Sequence, residues 1–253
     1  MKWFFRPFYL TWVILSFLLS FVLLFPVFWV LSLRNDVSAR RRSWWIVRSW
    51  SGAWLKMIGM PLEISGPKTE EGPVIFIANH QSYLDALLIF AAIPIYFRPL
   101  GKREVSKIPL FGRIYRLLTI MVDRQAAESR SQSMRSLRLA LKEGSSVMIF
   151  PEGGFEDSEE ILSPFYNGAF RLALREEVPI QPLLFLDARR RWSSKGGWSL
   201  WPGQNRVLFL NRISTETYQP DQVEALKQAC FHTMHQAIRQ AMDKRHAEGP
   251  ARN

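Results

Sequence analysis

Two hydrophobic rhythms alternate along this chain. The first is the short unbroken run: "PVIFIA" at 73–78, "IMVD" at 120–123, "SVMIF" at 146–150, "IQPLLFL" at 180–186 and "RVLFL" at 206–210. Apolar runs of that length, bounded by turn residues, predict buried strands. The second rhythm is helical. Met134, Leu137 and Leu141 share one helix face that ends near Gly144, and Met234, Ile238 and Met242 mark a C-terminal helix over about 220–244. Strand runs separated by amphipathic helices predict an α/β fold. No internal repeat or low-complexity linker interrupts the pattern. The stretch 193–205, "SSKGGWSLWPGQN", reads as a long loop, and 247–253 as a mobile polar tail.

A third pattern opens the chain. From Pro7 to Leu33 no residue is charged. A helix of that length reaches roughly 40 Å, more than the ~30 Å hydrocarbon core of a bilayer. A signal peptide is the alternative, with Lys2 and Arg6 ahead of the run and Val37-Ser38-Ala39 as a cleavage site. The apolar part of such a peptide normally ends within about 15 residues, which favours a membrane anchor over 1–35. Arg34, Arg40, Arg41, Arg42 and Arg48 follow the run, against Lys2 and Arg6 before it. This bias places the rest of the chain on the cytoplasmic face, of the inner membrane if the cell is bacterial. Pro26 leaves a re-entrant hairpin open as the alternative to a full span.

Residues 36–60 then carry Trp44, Val47, Trp50, Trp54 and Met57 at helical spacing, interleaved with basic residues. A basic, Trp-rich amphipathic helix suits the headgroup layer of an anionic leaflet. The same helix could instead pack its Trp face on the domain, and the two readings are compatible. What remains, 61–246, is roughly 200 residues and suits one α/β domain.

Composition narrows the partners. A formal charge of +11 asks for something anionic, whether nucleic acid, a membrane or a phosphorylated ligand. Beside an apolar anchor, a nucleic-acid partner is disfavoured. The single cysteine, Cys230, excludes an intrachain disulfide and offers no zinc cluster. His232 and His235 lie one helical turn apart without a second ligand set, so no metal is expected.

The chemistry centres on "IFIANHQSYLDALLIF" (75–90), where His80 sits between a strand-like and a helix-like run. Strand-to-helix junctions project side chains into clefts. A carboxylate five positions on, Asp85, would hold the imidazole in one tautomer and make it a proton acceptor. A plainer reading competes: Ser82-x-x-Asp85 ahead of "ALLIF" is a capping-box-like helix start. A second candidate is "MIFPEGGFED", in which Glu152, Gly153 and Gly154 follow a strand. Glycines there let backbone N–H groups approach an anion, although an ordinary turn explains them too. Between the two lies "GKREVSKIPLFGRIY" (101–115), with Lys102, Arg103 and Lys107 clustered beside Pro109 and Gly112.

In order, "NHQSYLD", "GKREVSKIPLFG", "FPEGG" and "VPIQPL" resemble the four sequence blocks of the glycerolipid acyltransferase family. The resemblance extends to "PFYNGAFRLA" (164–173) and spans roughly 40–215. It implies a mixed sheet flanked by helices, behind an N-terminal membrane helix. It implies transfer of an acyl group from acyl-CoA or acyl-carrier protein, as donor substrate and with no cofactor, to a lysophospholipid acceptor. It implies His80 as general base, Asp85 as its orienting partner, and Lys102, Arg103, Glu152 and Gly153 around the acceptor's phosphate. The fourth block, 178–183, would line the donor side.

An acyl thioester is already activated, so a base without a protein nucleophile suffices. The absence of a Gly-x-Ser-x-Gly elbow agrees with that. One position departs from the family: Gly154 and Phe155 stand where it carries Ser or Thr and then Arg. The phosphate would then fall to Lys102, Arg103 and Arg124. Against a catalyst stand three other classes: a metal-dependent hydrolase, a membrane-anchored nucleic-acid binder and an idle scaffold of the same fold. The ordered blocks favour the transferase, acting on lysophosphatidic acid.

Overall fold

The computed structural model describes residues 2–34, 36–70, 72–123, 127–154, 161–193 and 199–247. Two long helices come first, α1 (Lys2–Arg34) and α2 (Val37–Met57). The strands are β1 (Leu62–Ser65), β2 (Ile75–Ala78), β3 (Phe97–Lys102), β4 (Ile120–Val122), β5 (Ser146–Ile149), β6 (Ile180–Phe185) and β7 (Asn205–Phe209). Between them run α3 (Asp85–Ala92), α4 (Phe111–Leu118), α5 (Ala127–Lys142), α6 (Gly168–Glu176) and the short α7 (Ala188–Arg191), and α8 (Val223–Ala247) closes the chain. The five strands expected from apolar runs form within a residue or two of their expected places. Two others have no such signal. β1 is a mostly exposed strand at the sheet edge, and β3, "FRPLGK", is interrupted by Arg98, Pro99 and Gly101.

The sheet is mixed, in the order β1-β7-β6-β2-β5-β3-β4. β6, β2, β5, β3 and β4 run parallel, while β7 is antiparallel to β6 and carries β1 parallel to itself. β2 and β5 are buried along their whole length, as strands covered on both faces must be. Alternate residues divide between two cores. Phe76 and Ala78 join Phe97, Leu88 and Trp44 under α2, α3 and α4. Ile75 and Ile77 join Leu137, Phe170 and Met234 under α5, α6 and α8.

This topology creates the crevice. From the end of β2 the chain leaves through α3, on one face, toward β3. From the end of the adjacent β5 it leaves through α6, on the other face, toward β6. Side chains at two neighbouring carboxyl ends whose connections diverge have open space above them.

α2 is part of the core rather than a separate layer: Trp44 and Trp54 are buried, and Trp45 is exposed. Its N-cap is Asp36, which accepts from Ala39 N at 2.7 Å. α1 packs one stripe on α2 and α4. The Tyr9 hydroxyl donates to Ile58 O (2.8 Å), the Trp54 indole to Ser16 Oγ (3.2 Å), and Arg113 Nε to Ser32 Oγ (2.6 Å). Leu15, Leu18, Leu19, Val22, Leu23, Val30 and Leu33 on α1 stay exposed. The helix from Arg6 to Arg34 is long and apolar enough to cross a membrane.

Candidate active site

His80 emerges two residues beyond the carboxyl end of β2, and its backbone path is fixed from the side by Asn79. The Asn79 amide continues the sheet ladder, donating to Phe185 O (3.0 Å) and accepting from Phe185 N (2.8 Å). The chain then turns into α3, whose first residue is Asp85. Asp85 is fully buried. Its Oδ2 accepts from Gln81 N (2.8 Å) and Ser82 N (2.9 Å) and lies 2.8 Å from His80 Nδ1. Both contacts expected of Asp85 run through one oxygen: that with Ser82 N is half of a capping box, and that with His80 pairs the carboxylate with the imidazole. An ionised carboxylate only accepts, so the proton must sit on His80 Nδ1, leaving Nε2 as the basic nitrogen.

The imidazole is held on its face as well. Phe150, the residue after β5, stacks on it with ring centroids 4.0 Å apart and planes at 16°. Behind it, Glu152 reaches across to the histidine loop. Its Oε1 accepts from His80 N at 2.7 Å and its Oε2 from Ser163 N at 2.8 Å. Burial pushes the Glu152 carboxyl above the usual carboxylate range, opposed by those N–H groups of Ser163 and His80 and by the charge of the His80 ring. The turn under Glu152 closes through Gly153 N donating to Phe150 O (3.1 Å). Gly153 has φ +78°, and a Cβ there would strike the Tyr166 ring, so only glycine fits. Both oxygens of Glu152 thus face backbone N–H groups, and the Gly153 N–H is spent on its own turn.

Ser82 is equally committed. Its hydroxyl donates to Trp192 O (2.6 Å) and accepts from Leu84 N (3.1 Å), which leaves it no role as a nucleophile. Cys230 is fully buried in the opposite core, and burial pushes its thiol up to about 12. On α8 His235 stacks against Phe231. Among the described residues no group of three or more His, Cys, Asp or Glu side chains is arranged to hold a metal ion.

Lys102 and Arg103 sit on the same edge, at the carboxyl end of β3, with β5 between them and the histidine strand. Both are exposed. A 3-10 turn (Arg103–Lys107) follows, and Gly112 lies so close to the Ser106 carbonyl that a side chain would collide with it. Between them Phe111 N donates to Pro109 O at 2.6 Å, and Leu110 adopts φ 61°, ψ −56°. That is a γ-turn with positive φ at a leucine, a conformation costing about 1–3 kcal/mol. The fourth block, 178–183, lies largely within β6, whose side chains are buried and whose strand supports β2. Arg124 and Phe155 lie outside the described residues, as do 194–198 of the long loop and 248–253 of the tail.

The sequence pointed to His80 and Asp85 but not to their supports. Asn79 and Phe150 had a signal only in their place, one residue before the histidine and at the end of a strand. Ser163 had none.

Residues 62–186 match the family model described as Acyltransferase. The chain is 31% identical over 175 residues to a 1-acyl-sn-glycerol-3-phosphate acyltransferase of Limnanthes alba, covering 68% of this chain and 62% of that protein. It is 32% identical over 184 residues to the 1-acyl-sn-glycerol-3-phosphate acyltransferase alpha of Mus musculus, covering 70% of this chain and 64% of that one. The chain therefore spans a little under two thirds of the length of these relatives. Its fold is that of the crystal structure of the 1-acyl-sn-glycerophosphate (LPA) acyltransferase PlsC from Thermotoga maritima. The TM-score is 0.74 at 17% identity, over 94% of this chain and 98% of that one. The matched stretch begins at β1 and ends just past β6, taking in every strand end that carries the His80 site, and the chain belongs to the acyltransferase family.

Proposed function

We propose that this protein is a membrane-bound O-acyltransferase of phospholipid synthesis. It moves a fatty acyl group from a thioester, acyl-CoA or acyl-carrier protein, to the free hydroxyl of 1-acylglycerol-3-phosphate. The observation that carries the reading is the 2.8 Å contact between His80 Nδ1 and Asp85 Oδ2 at the carboxyl ends of two diverging strands. The activity that names the relatives supports the choice of acceptor.

In the reaction, His80 Nε2 takes the proton of the acceptor hydroxyl as its oxygen attacks the thioester carbonyl. The tetrahedral intermediate collapses, the C–S bond breaks, and the departing thiolate takes the proton back from the imidazolium. Asp85 keeps Nδ1 protonated throughout and stabilises the transient positive ring. Glu152 and Phe150 position the histidine from behind and from its face. Lys102 and Arg103 bind the acceptor's phosphate, whose charge of about −1.5 to −2 needs several donors.

The exposed apolar stripe of α1, together with its attachment to α2 and α4, supports a helix lying along the domain with its outer face in lipid. The basic residues after it favour the cytoplasmic leaflet. A second acceptor reading has one observation behind it: Phe155 stands where the resembling family carries arginine. An aromatic ring there suits a lyso-lipid with a different headgroup.

The test is the purified full-length protein in vesicles, given acyl-CoA or acyl-carrier protein and a panel of lyso-lipids, with products identified by mass spectrometry. Transfer to lysophosphatidic acid is expected. Transfer only to another lyso-lipid overturns the acceptor, and no transfer to any overturns the reaction.

A further inference from the structure

Leu110 combines strain with exposure. Its γ-turn holds a leucine at positive φ, where glycine or asparagine would sit more easily. Its side chain gains no compensating burial, being 57% exposed, and Ile108 on the other side of Pro109 is 50% exposed. Two large apolar side chains therefore stand out from a turn that is otherwise tightly built. Gly112 packs on Ser106, Gly112 N donates to Ile108 O (2.8 Å), and Arg116 Nη1 donates to Ser106 O (2.6 Å). A strained residue held in place by its surroundings points to a use for the side chain it displays.

The neighbours say what that use is. Phe111, next in the chain, lies against Phe21 of α1, ring centroids 6.3 Å apart. Arg113, two residues further on, donates to Ser32 of α1 and sets its guanidinium 4.1 Å over the Trp29 ring. The turn is thus continuous with the helix whose outer face is bare apolar surface. Before Ile108 in the chain come exposed Lys102, Arg103 and Lys107, three cations against the one carboxylate of Glu104, starting at the carboxyl end of β3. Apolar tips backed by basic residues form the profile of a segment seated at the headgroup–acyl boundary.

We propose that Ile108 and Leu110 form a second membrane contact, an apolar knob that enters the bilayer beside α1. It holds the mouth of the site against the leaflet, so that the acceptor's phosphate meets Lys102 and Arg103 while its acyl chain remains in lipid. The inference rests on the membrane reading of α1 given above and goes beyond it by assigning the second block a lipid-inserted side.

The buried, unreactive Cys230 is the chain's only cysteine, so a single engineered thiol can be labelled in the full-length protein. An environment-sensitive fluorophore is placed on Leu110→Cys. Leu19→Cys on the exposed face of α1 serves as positive control, and Thr233→Cys on the exposed face of α8 as negative control. With vesicles of phosphatidylglycerol and phosphatidylcholine, labels at 110 and 19 are expected to shift to the blue and to be quenched by brominated acyl chains, the label at 233 not. A shift at 19 without one at 110 overturns the knob and leaves the membrane reading standing. No shift at either position overturns both.

Function supplies an independent arm. Leu110→Gly accepts the positive φ without strain and removes only the side chain. It is expected to raise KM for acceptor embedded in vesicles about tenfold, with a short-chain dispersed acceptor turned over as before. An unchanged KM on vesicles, at unchanged melting temperature, overturns the proposal.

Discussion

The histidine loop and the second block occupy the same edge of one sheet and are built on opposite plans. Around His80 the side chains are held by fixed, mostly buried contacts. Asp85 carries two backbone N–H groups besides the imidazole, Glu152 carries two more, Asn79 ties the loop to β6, and Phe150 covers the ring. From Lys102 to Leu110 all side chains but Val105 and Ser106 are exposed, and the backbone turn is held from beneath by Ser106 and Gly112. On the proposed function, this difference divides the work. Proton transfer needs geometry held to fractions of an ångström, which buried hydrogen bonds supply. Meeting a lipid in its own leaflet needs exposed charge and exposed apolar surface, which a packed core would hide.

The comparison breaks most sharply at its centre. His80→Ala is expected to lower kcat by roughly 10²–10⁴-fold, the usual worth of a positioned base. Circular dichroism and vesicle binding are expected to stay unchanged. Retained activity would remove the histidine from the mechanism.

Asp85→Asn tests the orientation of that base. A neutral amide is a weaker acceptor for Gln81 N, Ser82 N and Nδ1, and its NH2 turned toward the ring favours the wrong tautomer, so a loss of about 10²-fold or more in kcat is expected. The melting temperature should fall too. A lower melting temperature with full activity would leave Asp85 only its helix-start role.

Glu152→Gln keeps the shape but replaces one acceptor oxygen by a donor. It forfeits a charge-assisted hydrogen bond of about 1.5–3 kcal/mol, and a kcat roughly tenfold lower with acceptor KM little changed is expected. Lys102→Ala and Arg103→Ala should do the reverse, each raising acceptor KM several-fold and leaving donor KM alone. Steady-state kinetics against both substrates separates the two patterns, and a kcat effect at Lys102 would merge regions that the comparison keeps apart.

The smallest effect concerns pH. Because burial raises the folded-state pKa of Glu152, its contribution to stability is complete below the unfolded value and is lost as pH rises through the folded one. The melting-temperature difference between the wild type and Glu152→Gln should therefore shrink as pH rises above the ordinary glutamate value of about 4.3. A difference that grows with pH would mean that the N–H groups outweigh burial.

How much of this was legible beforehand varied with burial. The strands covered on both faces announced themselves as apolar runs, because a strand buried on both sides has nothing polar to show. β1 and β3 did not. β1 lies mostly open at the sheet edge, and the run of β3 is broken by Arg98, Pro99 and Gly101. His80 and Asp85 were legible because they are near in sequence and of uncommon type. Glu152 was legible as a motif and not as a contact, since its two partners lie 72 and 11 residues away. α1 was recognisable by composition alone, but its attachment to α2 and α4 was not: a helix that is apolar all round gives no sign of which stripe is packed.

By itself, then, the sequence determined the α/β class, the apolar helix, the order of the blocks and the residues capable of acid–base chemistry. These depend on residue type and on spacing within a few positions. Only the tertiary structure decided that β2 and β5 lie side by side with diverging connections, and so that Phe150 faces the imidazole while Glu152 holds its backbone. It also decided that Leu110 faces outward next to α1. Each of these depends on which distant segments pair, a choice made by the whole core at once, and no local window of the chain contains it.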